Sequence, residues 1–184
     1  MIIFIIFMIN KKEPSNEGDR GQVSFTPKSS HNPMWTVGSC SSVVISSNGQ
    51  LIVAGNSGLY NYSSSNPLWT YSMECQPSKV SISSDGKYFV GGCGADEGRI
   101  YMFNSSSPIP IWNYSINKLT SVSISEDGNY VAAGSIGGIS VFRRNSSDIL
   151  FSYTTGRVNE IDMCSDGKYI VVASNNGIYF FNIS

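Results

Sequence analysis

Apolar and polar residues alternate in short stretches along most of the chain, and glycine-containing turns separate these stretches. Val80-Ser81-Ile82-Ser83 is one example, and a period of two is that of a β-strand with one buried face. Asp85-Gly86 follows and supplies the positive-φ residue that a hairpin turn needs. Tyr88-Phe89-Val90 then begins a second strand of aromatic and β-branched residues. The pattern predicts antiparallel hairpins.

Two further strands complete this unit. Gly98 closes the next turn, and Ile100-Tyr101-Met102-Phe103 predicts a third strand. After the loop at residues 104–110, Ile111-Trp112-Asn113-Tyr114 predicts a fourth strand. Its indole is large enough to fill the space between neighbouring sheets. One unit therefore predicts one four-stranded antiparallel sheet.

The unit recurs four times. The inner-strand turns fall at residues 48–49, 85–86, 127–128 and 166–167. A period of about 40 residues with several strands per unit is typical of propeller blades. We therefore predict an all-β fold, a β-propeller of about four four-stranded antiparallel blades, over residues 22–184. Residues 1–21 are expected to be an apolar leader and a flexible linker.

The two ends of the repeat array complement each other. The folded part opens with a lone fourth strand, Met34-Trp35-Thr36-Val37, and ends after a third strand at residues 177–182. Pairing the first strand with the last unit would complete a fourth blade and remove open sheet edges. A closed four-blade ring, a homodimer of two four-blade chains and a fragment of a longer propeller protein are all compatible with this arrangement.

The repeats resemble those of WD-repeat propellers, in which an inner strand ends in an Asp-Gly turn and the third strand ends in an aromatic residue followed by a polar one. In place of Trp-Asp the chain has Tyr62-Ser63, Phe103-Asn104, Phe142-Arg143 and Phe181-Asn182. The Gly-His pair of that family is absent, so its buried Asp-His network cannot form. Trp35, Trp69 and Trp112 look like the blade tryptophans of pyrroloquinoline-quinone-type propellers, without that family's Ala-x-Asp-x-x-Thr-Gly segment. The resemblance covers residues 33–184 and implies a divergent, prokaryotic-type propeller between the two families.

Composition argues against several functions. The net charge is -1 and charged residues make up 14% of the chain, so no basic field would attract nucleic acid. The single histidine, His31, lies outside the repeats and is interpreted as a solvated linker residue. A histidine-dependent triad or a multi-histidine metal cluster is therefore not expected. We predict a protein that is not an enzyme and has no cofactor and no metal.

The cysteines and the turn aspartates have structural interpretations. The four cysteines, none in a CxxC motif, are Cys40, Cys75, Cys93 and Cys164. Cys93 and Cys164 stand mostly where other units have serine and are interpreted as small buried substitutes for it. Cys40 and Cys75 precede inner strands of adjacent blades and could pair if the protein is exported. Asp85, Asp127 and Asp166 each stand alone before a glycine, which favours turn formation over a calcium site.

The leader bears on localisation. From Met1 to Ile9 every residue is apolar, and Asn10, Lys11 and Lys12 follow. This stretch is shorter than the roughly 20 residues of a membrane helix and matches the about 7–15 of a signal-peptide core. The lysines lie on the wrong side for a signal, and no small-x-small cleavage site follows. Two interpretations of this stretch stay open, a shortened signal or membrane anchor and a buried or meaningless overhang. We expect an extracellular or membrane-tethered protein, with a cytoplasmic one as the alternative.

Potential glycosylation sites bear on which face is free. The Asn-x-Ser acceptors are Asn61, Asn104, Asn113, Asn145 and Asn182. All except Asn113 fall at or just after the ends of third strands, on what we call the lower face. Sugar there would leave the opposite, upper face to partners if the chain is exported. The alternative is that polar residues simply end strands.

The upper-face loops carry the candidate interaction residues, because rigid strands hold mobile connections there. The candidates are Met73, Glu74, Gln76, Asp96, Glu97, Lys118, Arg157, Asn175 and Asn176. Asp96 and Glu97, with Glu74 nearby, predict a small acidic patch. Solvated loop charge without function is the alternative.

Three functional hypotheses follow. The first is a non-catalytic scaffold for protein–protein interaction or assembly with an unknown protein partner. The second is an enzyme or sensor that holds a small ligand or quinone cofactor in a central channel, and the third is a fragment of a longer propeller protein. A ligand site needs converging polar groups, whereas the inner strands offer mainly Ser, Val and Ile. This difference favours the scaffold.

Overall fold

Fifteen β-strands account for the regular structure in the computed structural model, which describes residues 32–184 apart from residues 57 and 95. Our predictions for the leader, the linker and His31 concern residues outside this part. In the described residues there is no helix that could cross a bilayer. The prediction of an all-β chain of antiparallel sheets is confirmed.

The strands form four sheets in chain order. The first sheet contains β1 (Ser42–Ile45), β2 (Ile52–Gly55), β3 (Gly58–Tyr62) and β4 (Pro67–Ser72). The second contains β5 (Lys79–Ile82), β6 (Tyr88–Cys93), β7 (Gly98–Asn104) and β8 (Trp112–Ile116). The third contains β9 (Ser121–Ile124), β10 (Tyr130–Gly134), β11 (Ile139–Arg143) and β12 (Ile149–Tyr153). The last sheet contains β13 (Val158–Met163), β14 (Tyr169–Ser174) and β15 (Gly177–Asn182).

Every sheet is a simple meander, in which each strand pairs antiparallel with the next one along the chain. The turn after each inner strand contains a glycine at positive φ, and these glycines are Gly49 (70°), Gly86 (74°), Gly128 (70°) and Gly167 (72°). A side chain at such a position is strained, which explains why the four turns share this residue.

A serine hydroxyl, or the Cys164 thiol in the last sheet, organises the turn after each inner strand. In the second sheet, Ser83 Oγ donates to Asp85 Oδ1 at 2.9 Å and accepts from Tyr88 N at 3.1 Å. Asp85 Oδ1 also accepts from Lys87 N at 3.0 Å, so the carboxylate closes the turn. The equivalent pairs are Ser46 with Asn48, Ser125 with Asp127 and Cys164 with Asp166. Cys164 is half-buried and takes the place of the serine, as its repeat position predicts.

We predict that alanine at Ser125 lowers the free energy of unfolding by about 1–3 kcal/mol, because Tyr130 N loses its acceptor, whereas Asn129 N keeps Asp127 Oδ1 at 2.9 Å. Ser125 is buried, and its Oγ accepts from Asn129 N and Tyr130 N at 3.1 and 3.0 Å. Ser125→Cys is the matched control and is expected to cost less, because Cys164 Sγ accepts from Tyr169 N in the last sheet. Urea unfolding of both variants measures the difference. An alanine variant as stable as the wild type would contradict the role of the hydroxyl.

The turn carboxylates make stability dependent on pH. Partial burial raises the pKa of Asp85 and Asp127, but hydrogen bonds within the turns outweigh it and lower both pKa values overall. The hydrogen bond from the Cys164 thiol, followed by those from Lys168, lowers the pKa of Asp166 to about 2. A depressed pKa stabilises the fold above the unfolded-state pKa of about 3.9, and this stabilisation is lost as the pH falls through the folded-state pKa.

We therefore predict that the urea midpoint falls progressively between about pH 5 and about pH 2. The measurement is urea unfolding across this range for the wild type and for Asp127→Asn, whose amide cannot ionise. The asparagine variant should show the shallower pH dependence. Equal slopes for the two proteins would mean that Asp127 does not contribute.

The sheets pack face to face in chain order. The inner strands lie side by side, β1 with β5, β5 with β9 and β9 with β13. Between the first and second sheets, Leu59 and Val53 pack with Phe89 and Phe103, all four fully buried. Two similar clusters join the second sheet to the third and the third to the last. The core is thus divided into three layers, one between each pair of consecutive sheets.

Tryptophans seal two of these layers, as their position in the repeat predicts. The Trp69 ring centroid lies 5.7 Å from that of Phe103, and Trp69 Nε1 donates to Ser105 O at 2.8 Å. Trp112 does the same one sheet later, with its ring 5.4 Å from Phe142 and Nε1 donating to Arg144 O at 2.7 Å. Each indole leaves its own sheet and is anchored to the next one.

The N-terminal segment departs from prediction. Residues 34–37 form no strand, and the last sheet has three strands with β15 at its edge. Trp35 lies instead against the first sheet, with its ring centroid 6.0 Å from that of Tyr62. In the described part of the chain, no packing like that between consecutive inner strands joins β1 to β13. The expected pairing of Met34–Val37 with the last unit is therefore not formed in the described residues.

Candidate interaction face

The connections of the sheets lie at two opposite ends. Consecutive inner-strand turns are hydrogen-bonded to one another, since Ser47 N donates to Ser84 O and Ser84 N donates to Glu126 O, at 3.0 and 2.9 Å. Asp127 N donates to Ser165 O at 3.1 Å and continues the series. These turns mark the lower face. Because all strands within a sheet are antiparallel, the second-to-third-strand turns and the connections between sheets lie at the other end, the upper face.

Glu74, Asp96, Glu97 and Lys118 come together on the upper face of the second sheet. Lys118 Nζ lies 3.0 Å from Asp96 Oδ1, and Arg99 Nη1 lies 3.8 Å from Glu74 Oε2. Lys118 has a φ of 53°, a conformation uncommon for residues other than glycine. The predicted acidic patch is therefore a mixed-charge cluster of three carboxylates and two cations. We call these five residues the charged cluster.

Arg99 is the member of the charged cluster that sequence reasoning missed. It lies near the start of β7, in a strand whose other residues are mainly apolar, so nothing in the loop pattern pointed to it. Glu74, Asp96, Glu97 and Arg99 line a hollow of about 310 Å³ together with Ser115 and Asn117. The hollow is open to solvent and has both donors and acceptors at its rim.

A disulfide fixes the loop that carries Glu74. Cys75 pairs with Cys93, with 5.9 Å between the Cα atoms. The expectation that Cys40 could pair with Cys75 is wrong, since Cys40 is exposed and free. The interpretation of Cys93 as a substitute for serine is also wrong, because the β4–β5 connection folds back onto the end of β6. Cys93 pairs in register with Arg99 across β6 and β7, so the disulfide holds both sides of the charged cluster.

The other candidate residues form a second group at the last sheet or stand apart. At the last sheet, Asn175 N donates to Arg157 O at 3.0 Å, and Asn159 Nδ2 donates to Asn175 Oδ1 at 3.1 Å. Asn176 is exposed in the same turn. Near the charged cluster, Gln76 is exposed, whereas Met73 packs against the core between the first two sheets. The structure thus groups the predicted residues around two sheets, and Met73 is half-buried between the first two sheets.

The potential glycosylation sites differ in accessibility. Asn61 is fully buried, and its Nδ2, the atom that a glycan would modify, donates to Ser105 O at 2.7 Å. A glycan at Asn61 therefore does not fit the folded chain, and this prediction is wrong because the side chain faces the second sheet. Asn113, Asn145 and Asn182 are exposed, and Asn104 is partly exposed. Glycosylation at these four positions stays a prediction.

Inner-strand serines are used to join sheets. Ser42 Oγ accepts from Val80 N, Ser81 Oγ from Ile124 N and Ser121 Oγ from Ile161 N, each at 3.2 Å. These hydroxyls are therefore committed to structure. Within the described residues, no three His, Cys, Asp or Glu side chains are placed to hold a metal ion. The inner strand of the last sheet differs, because it carries exposed Glu160 and Asp162. The prediction that the inner strands offer mainly Ser, Val and Ile did not include these two acidic residues.

Comparison with known proteins supplies no family assignment. No protein-family model and no curated protein matches the chain. The likeness to WD-repeat and pyrroloquinoline-quinone-type propellers therefore depends on the repeat residues alone. Function has to be inferred from the geometry of the charged cluster and of the sheets that support it.

Proposed function

We propose that the chain is a non-catalytic β-propeller scaffold whose upper face binds a protein partner. Four meander sheets packed in chain order through adjacent inner strands are the arrangement that propeller blades require. The recurrence of the inner-strand turn about every 40 residues in the sequence also supports a propeller. The divergent WD-like character of the repeats supports a role in binding rather than in chemistry.

The observation that carries the proposal is the charged cluster beside the Cys75–Cys93 disulfide. Exposed carboxylates and Arg99 surround the hollow. The disulfide joins the β4–β5 connection, which carries Glu74, to the buried strand β6. A fixed charged surface loses little conformational entropy on binding and favours a partner with complementary charges. The serine hydroxyls of the inner strands, in contrast, are already hydrogen-bonded and offer little to a small ligand.

The disulfide also supports export. Structural disulfides persist in oxidising compartments and are rare in the cytosol. We therefore place the scaffold outside the cytoplasm, secreted or tethered through the leader. Exposed Asn145 and Asn182 on the lower face are compatible with glycans that leave the upper face free.

Site-specific photo-crosslinking tests the proposal. A benzophenone amino acid replaces Glu97 on the upper face or, as the matched control, Ile109, which is exposed in the β7–β8 connection on the lower face. In an extract of the source cells, we expect a discrete protein adduct from position 97 and none from position 109. The additional substitutions Asp96→Ala and Lys118→Ala should abolish the adduct at position 97. Equal adducts from both positions, or no effect of these substitutions, would contradict an interaction through the charged cluster.

A further inference from the structure

The last sheet exposes an apolar face, whereas the equivalent face of every preceding sheet is buried. We call the face directed toward the following sheet the leading face. On the leading face of the last sheet, Ile178 and Phe180 are 80% and 71% exposed. Ile100 and Met102 occupy the same repeat positions in the second sheet and are fully buried against the third. The last sheet therefore has the residues of an internal layer without the neighbouring sheet.

The first sheet exposes the opposite, trailing face. Val43 and Ile45 on β1 are 57% and 58% exposed. Their equivalents on β9, Val122 and Ile124, are buried against the second sheet. The trailing face of the first sheet thus also has the composition of an internal layer. Contiguous exposed apolar surface of this kind marks an interaction site.

The segment around Trp35 marks where a preceding sheet would lie. Trp35 packs on Tyr62 with 6.0 Å between ring centroids, much as Trp69 packs on Phe103 of the next sheet at 5.7 Å. The segment from Trp35 to Cys40 and the trailing face enclose a largely apolar hollow of about 490 Å³. The first sheet therefore carries a tryptophan in the place of a fourth-strand tryptophan, without the rest of that sheet.

The last sheet lacks the complementary part. It has three strands, and β15 is its edge, whereas each of the other sheets has a fourth strand beyond the equivalent position. An unpaired edge strand next to an exposed apolar face is a liability unless another strand covers it. The missing strand at one end thus corresponds to the extra segment at the other.

We propose that a second copy of the chain covers both faces in a head-to-tail dimer. The leading face of the last sheet in one copy packs on the trailing face of the first sheet in the other, with residues 34–37 of that second copy beside β15. Each copy has one face of each kind, so two identical contacts close the assembly with two-fold symmetry. The contacts continue the layers that already join consecutive sheets. This inference rests on the proposed propeller architecture and yields a ring of eight sheets.

The test is the solution mass of the full chain by size exclusion with light scattering. We expect a dimer for the wild type and a monomer for both Phe180→Glu and Ile45→Glu, each of which places a charge in both contacts. Ile109→Glu, an exposed site on the lower face, is the matched control and should stay dimeric. Mixing the two monomeric variants should give a one-to-one heterodimer, because one of its two contacts contains only wild-type faces.

Other outcomes would overturn the proposal. A wild-type monomer at every concentration would mean that no second copy covers these faces, and this measurement does not depend on the folding of any variant. Loss of the dimer in only one variant would indicate a like-to-like contact. The proposed partner binding is judged separately: a dimer without a crosslink at position 97 leaves the assembly standing, and a monomer with that crosslink leaves partner binding standing.

Discussion

Replacing Trp112 by alanine is expected to lower the free energy of unfolding by about 3–5 kcal/mol, the usual range for a large aromatic residue truncated in a core. The side chain is 8% exposed and packs 5.4 Å from Phe142, between the second and third sheets. Truncation would open a cavity in that layer. It would also remove the donor from Arg144 O, which Trp112 Nε1 reaches at 2.7 Å.

Urea unfolding of the variants measures this loss. Trp112→Phe is the matched control, since Phe151 stands at the equivalent position in the third sheet and packs on Phe181 at 5.2 Å. The phenylalanine variant keeps a ring in the layer and loses only the hydrogen bond and part of the volume, so it should be clearly more stable than the alanine variant. Equal losses would mean that the hydrogen bond, and not the ring, holds the two sheets together.

Reduction of the Cys75–Cys93 disulfide is expected to lower the free energy of unfolding by about 3 kcal/mol, the value for a closed loop of this order of length. The two cysteines are separated by 18 positions, so the bond restricts a loop of moderate length in the unfolded chain. The expected consequence is a lower urea midpoint with reductant than without. The double variant Cys75→Ala/Cys93→Ala should match the reduced wild type.

Cys40→Ser is the control for the disulfide, because Cys40 is exposed and free. Its stability should equal that of the wild type, and reductant should lower its midpoint by the same amount as in the wild type. If reductant changes neither protein, Cys75 and Cys93 are not paired in solution. In that case the disulfide would support neither export nor a charged cluster held in a fixed position.

Local chemistry made most of the sheet structure predictable. Alternation defined the strands, and a glycine with an aspartate or asparagine before it defined each turn after an inner strand. The serine at the start of the turn is bonded within five residues, as in Ser83 with Tyr88. Contacts between residues this close in sequence depend on local residue types, so the turn pattern of one repeat predicts that of the others.

The features that sequence reasoning missed depend on residues distant along the chain. Met34–Val37 has the composition of a strand, but pairing requires that this segment lie beside the free edge of β15, and its Trp35 packs on the first sheet instead. Cys93 and Arg99 lie in strands, and only the fold of the β4–β5 connection brings Cys75 and Glu74 to them. Asn61 looked like a surface residue, yet it stands where the second sheet has buried Met102. Spacing alone could not reveal these arrangements.

The hydrogen bonds that link consecutive lower-face turns have a consequence for how the molecule comes apart. Together with the three core layers, they make cohesion a nearest-neighbour property, in which a sheet is held only by the one before and the one after it. An isolated chain should therefore open first at its two ends, because each terminal sheet packs against one neighbouring sheet and each interior sheet packs against two. Local opening would begin in β1 and β15 and reach the second and third sheets last. A partner that packs against the exposed faces of both terminal sheets would remove this difference in stability, and all the sheets would then open together.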